Sequence, residues 1–168
     1  MSFIVGSDGN ISLFRVGTLF AILGILLVVG GVAAYFLDQN SYRAPLDVEP
    51  FPQAEPWGTP SEIGSTRRLV FLVSGASPEE VASYYTQKLR EFGSPEDRCE
   101  RIPVTGTIEN ARNDPTVVPY WYKCLFQRTG LRVSQQTTIT IQPGVANDDP
   151  NLDTRGMTVI EHSQRWQP

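Results

Sequence analysis

Residues 16–37 read VGTLFAILGILLVVGGVAAYFL, a run of 22 residues without a single charge. Wound as an α-helix at about 1.5 Å per residue, it reaches roughly 33 Å, enough to cross a hydrocarbon core of about 30 Å once. That feature divides the chain into an N-terminal segment 1–15, a transmembrane helix 16–37 and everything that follows. The competing reading is a cleaved secretory signal, because Val32-Ala33-Ala34 offers the small residues a signal peptidase requires. The run is longer than the roughly 7–15 apolar residues of such a signal and continues through Tyr35, Phe36 and Leu37, which favours an anchor.

Orientation follows from the basic residues at the two ends. Arg15 stands directly before the span, near the amino terminus, whereas Asp38, Asp47, Glu49 and Glu55 follow it with Arg43 as the basic residue among them. The positive-inside rule then puts segment 1–15 in the cytoplasm and the C-terminal part outside, which in a bacterium means a single-pass protein of the cytoplasmic membrane. Residues 1–37 hold only Asp8 and Arg15 as charged residues, so the net charge of −4 belongs wholly to the outer part. An acidic balance excludes a nucleic-acid binder, which needs a Lys/Arg excess against phosphate.

Within the span, Gly17, Ala21, Gly24, Val28 and Gly31 recur at alternating steps of four and three. Such spacing puts them on one stripe, and a stripe of small residues lets a neighbouring helix come close enough to pack in lipid. Other transmembrane subunits are therefore expected partners, beside the bilayer itself. No Asp, Glu, Lys, Arg or His lies within 16–37, which argues against a proton or ion path along the helix.

Residues 38–66 read as a linker. Its centre, APLDVEPFPQAEPWGTP, carries Pro45, Pro50, Pro52, Pro56 and Pro60, which exclude helix and central strand and favour an extended chain of about 3.1 Å per residue. Phe51 and Trp57 are unusual in a plain spacer and are candidates for contact with a partner or with the domain itself.

The domain 67–168 is expected to be α+β. Arg67–Ser74 reads as a buried strand, and a helix follows: Ser77 as N-cap, Pro78 at the first position, Glu80 closing a capping box, then Val81, Tyr85, Leu89 and Phe92 on one face up to Gly93. Tyr120–Gln127 and Arg132–Gln142 form a hairpin about Thr129-Gly130, and Met157–Trp166 adds a last strand. A short strand around Val104–Ile108 is the weakest element. The sum is an antiparallel sheet of about four strands with one helix on a face.

Candidates for chemistry are few. Cys99 and Cys124 fit neither a C-x-x-C nor a zinc spacing, and in an oxidising compartment they are expected to pair as a disulfide. One histidine in the whole chain, His162, adjoins Glu161 on a strand, where neighbours point to opposite faces and cannot act together. The loop NDDPNLD offers oxygen ligands for calcium at Asp148, Asp149 and Asp153, but lacks the glycine and terminal glutamate of an EF-hand, and such a loop is first of all a solvated turn. No phosphate-cradling glycine loop, nucleophile elbow or haem-attachment pattern is present in the sequence. Neither a catalytic set nor a cofactor is expected.

A short cytoplasmic N-terminus, a glycine-striped span, a proline-rich spacer and a small disulfide-stapled domain resemble the layout of single-pass accessory subunits in bacterial respiratory and photosynthetic membrane complexes. The stretch LVSGASPEEVASYYTQKLREFG also resembles envelope domains of anchored bacterial proteins in which a strand leads into such a helix. The resemblance implies a non-catalytic subunit of an electron-transfer complex, whose helix packs laterally and whose domain covers a partner. The alternative is an independent anchored binding module for a small ligand, a cell-wall fragment or a secreted protein.

Overall fold

A computed structural model describes residues 13–92, 98–103, 116–130 and 133–167. The chain forms two compact units, Met1–Ser41 and Tyr42–Pro168. The first is one helix, α1, Leu13–Ser41. It runs four residues beyond the apolar run, because a change from apolar to polar side chains at Asp38 marks where a bilayer would end and leaves the backbone free to stay helical. Ser41 Oγ donates to the Asp38 carbonyl at 2.7 Å, occupying one of the carbonyls that a helix end leaves open. The helix is long and apolar enough over Val16–Ser41 to serve as a membrane anchor.

The second unit is an antiparallel sheet with one helix. Its elements are β1 (Glu55–Pro56), β2 (Ser61–Ile63), β3 (Thr66–Ser74), α2 (Pro78–Glu91), β4 (Glu100–Pro103), β5 (Tyr120–Thr129), β6 (Ser134–Pro143) and β7 (Met157–Arg165). Seven strands, not four, make the sheet, in the order β1-β3-β7-β6-β5-β4 with β2 also on β3. The four long strands lie at the expected places. The three added ones are short and sit at the two sheet edges, where the prolines Pro56 and Pro103 are tolerated because no neighbour needs their missing N–H. The expected strand at 104–108 and the end of the helical face at Gly93 lie outside the described residues.

Strand alternation sends Phe71, Val73, Cys124, Phe126, Ile139, Ile141 and Ile160 to one face, where α2 lays Val81, Ala82, Tyr85 and Leu89 over them. The capping box at the start of α2 is complete: the Glu80 amide donates to Ser77 Oγ at 3.3 Å and the Ser77 amide donates to Glu80 Oε2 at 2.7 Å. A disulfide joins Cys99 to Cys124, with Cα atoms 4.2 Å apart, where the β4–β5 ladder runs out.

The proline-bearing segment expected as a spacer belongs to this unit. Tyr42 is 3% exposed, and Leu46, Val48, Phe51 and Ala54 pack against the core. The prolines do keep the chain extended, but its alternate side chains are apolar, and burying them on the sheet is more favourable than hydrating them. Residues 42–54 thus form a strap across the face that α2 leaves open.

Candidate functional site

The strap is held by polar groups rising from the sheet. Gln135 Nε2 donates to the Ala44 carbonyl at 2.7 Å, and the Leu46 carbonyl accepts from Thr137 Oγ1 and from Gln164 Nε2, the latter at 3.0 Å. Gln164 also donates to Asp47 and accepts from Arg67 Nε at 2.6 Å, and Arg67 closes the loop with an ion pair to Asp47. Arg67 is therefore not a freely solvated cation, and Arg68 pairs with Glu161 at 2.6 Å on the other face.

His162 belongs to the same seam. It is 1% exposed, stacked against Phe71 with ring centroids 5.1 Å apart. Its Nε2 lies 3.0 Å from the Tyr85 hydroxyl, which in turn accepts from the Phe51 amide at 3.0 Å. The Tyr85 hydroxyl and the imidazole thus share a buried hydrogen bond whose direction follows the histidine tautomer. Burial pushes its pKa down to about 4, opposed by the Asp47 charge, and burial likewise raises that of Tyr85. Every buried side-chain polar atom among the described residues has a partner. The seam is spent on holding the strap, with the imidazole committed to Tyr85 and packed against Phe71.

The remaining candidates fall into separate places. Gly17, Ala21, Gly24, Val28 and Gly31 lie on α1 within unit one, and a Cβ added at Gly17, Gly24 or Gly31 would meet nothing within 4 Å. Asp148, Asp149 and Asp153 are not gathered. The Asp149 carboxylate accepts from the Asn151 amide at 2.9 Å, Asp153 binds Arg155, and the lowered pKa of Asp153 comes first from that side-chain hydrogen bond. The Asp149 and Asp153 oxygens close turns, and among the described residues no group of three or more His, Cys, Asp or Glu could hold a metal ion.

Phe51 and Trp57, grouped by composition, part company. Phe51 turns into the core and meets the Tyr84 ring at 5.3 Å. Trp57 donates its amide to the Val70 carbonyl at 2.8 Å and lines an open groove of about 480 Å³ on the opposite sheet face. Gly58, with φ of +74°, turns the chain out between β1 and β2, a conformation glycine adopts without cost, and so leaves a gap in the edge strand. Thr59, Ser61, Arg68, Asn151 and Leu152 complete the walls. Asn151 and Leu152 come from the 144–156 loop, which Gly144 and Thr154 pin to β7 and to Val145. Trp57 and the loop that carries Asn151 are marked by the sequence, whereas the others are ordinary residues brought together by a break in an edge strand.

Comparison with protein-family models, with curated proteins and with solved structures finds no match to this chain.

Proposed function

We propose that the chain is a non-catalytic, single-pass accessory subunit of a larger bacterial membrane complex, of the electron-transfer kind whose layout it resembles. Its N-terminus is cytoplasmic and its domain extracytoplasmic, where a Cys99–Cys124 disulfide persists. The observation that carries the reading is the stripe of Gly17, Ala21, Gly24, Val28 and Gly31 on an apolar helix long enough to cross a membrane, a spacing that suits close packing with a neighbouring helix. Mild-detergent extraction followed by size analysis and mass spectrometry of co-purifying subunits tests it. Recovery in a stoichiometric complex supports the reading, and recovery as a free monomer overturns it.

A second reading, an independent anchored binding module, is favoured by the Trp57 groove. There an apolar floor of Trp57, Val70 and Leu152 stands beside polar side chains, the make-up of a ligand cleft. Recovery as a monomer with the groove open is the outcome this reading expects.

A further inference from the structure

We infer that the Trp57 groove is a saccharide site that takes a neutral pyranose ring; this rests on the binding-module reading. The floor is apolar, built from Trp57, Val70 and Leu152, with Leu152 48% exposed. Around it stand side-chain groups whose hydrogen-bonding capacity the fold leaves unused. Among the described residues, Trp57 Nε1 and the hydroxyls of Thr59 and Ser61 take no protein partner. Asn151 spends its amide nitrogen on Asp149 at 3.1 Å and keeps its oxygen free. Arg68 gives one guanidinium nitrogen to Glu161 and keeps its other donors.

The pairing fits one ligand chemistry better than others. A pyranose has a face of C–H bonds that stacks on an indole and a rim of hydroxyls that both donate and accept; the groove offers an aromatic face, N–H donors and oxygen acceptors around it. Arg68 is the basic residue among the described lining residues, and its ion pair with Glu161 at 2.6 Å offsets that charge, which removes the reason for an anionic ligand to prefer the site. A peptide strand would need open main-chain groups on the β3 edge. That edge is taken up by β1 through Glu55–Pro56, by β2 through Ser61–Ile63 and, at the gap between them, by the Trp57 amide on the Val70 carbonyl.

The test is a titration of the full chain in detergent micelles with tri-N-acetylchitotriose, following the three tryptophan indole N–H resonances. Trp57 is expected to shift in a saturable way while Trp121 and Trp166 stay in place. Asn151→Ala, on an exposed loop, is expected to weaken binding at least tenfold with the fold intact, and Trp57→Ala to abolish it. A Trp57 resonance unmoved by millimolar sugar, or moved by a proline-rich tetrapeptide and not by the sugar, overturns the saccharide assignment while leaving the binding-module reading standing. Recovery in a complex with the Trp57 indole protected from solvent overturns the reading beneath it.

Discussion

His162 shows how one buried side chain makes a domain sensitive to acid. Its pKa of about 4 in the fold compares with 6.5 for a free imidazole, so between those values the unfolded chain binds a proton that the folded one refuses. Stability is complete above pH 6.5 and falls as the pH drops toward 4, by up to about 3 kcal/mol at roughly 1.4 kcal/mol per unit. Urea unfolding at pH 7.5, 5.5 and 4.5 is expected to show that loss in the wild type and a flatter profile in His162→Gln. Glycine positions act by shape. A Cβ at Gly144 would strike the Thr154 carbonyl, a backbone atom that cannot turn aside, so Gly144→Ala is expected to cost about 3 kcal/mol. At Gly130 the obstacle is the Tyr42 ring at 2.7 Å; Gly130→Ala should cost less, about 1–2 kcal/mol, and loosen the N-terminal end of the strap, read as faster amide exchange at 44–51.

Among the elements, the disulfide is the one whose removal has a calculable size. Cys99 and Cys124 are 25 apart, and closing such a loop constrains the unfolded chain by about 3–4 kcal/mol in the chain-entropy account. Reduction, or the Cys99→Ser/Cys124→Ser double variant, is expected to lower the unfolding free energy by that amount; an unchanged midpoint would refute the assignment. The start and the buried face of α2 were legible in the sequence, since Ser77, Pro78 and Glu80 name its start and Val81, Tyr85 and Leu89 its buried face through local rules alone, while Phe92, expected on that face, is 40% exposed at the C-cap. The long strands were legible for the same reason. What local rules miss is the outcome of competition. Prolines between 45 and 60 state correctly that the chain is extended, but whether it lies along water or along the sheet depends on Gln135, Thr137 and Gln164, more than 70 residues away. Of the Trp57 groove only the tryptophan and the Asn/Asp loop stood out in the sequence, because Arg68 and Asn151 meet there only through the sheet register and the 144–156 loop.

For the whole molecule, association is the property to measure. Gly24→Leu adds a large side chain where a Cβ meets open space, so the helix itself is unharmed and any loss lies in lateral packing. On the proposed subunit reading, the complex is expected to shift to smaller size on a native gel, with the domain's own melting unchanged. The domain is also built against one kind of association. Its sheet ends at β1 and β2 on one side and at β4 on the other; β1 and β4 each carry a proline and β2 is three residues long, so among the described residues neither rim offers an uninterrupted ladder of donors. Proteins crowded in a membrane meet at high local density, where exposed strand rims would zip copies into insoluble ribbons. A rim that cannot template another strand keeps neighbouring copies apart and leaves contact between chains to side-chain recognition.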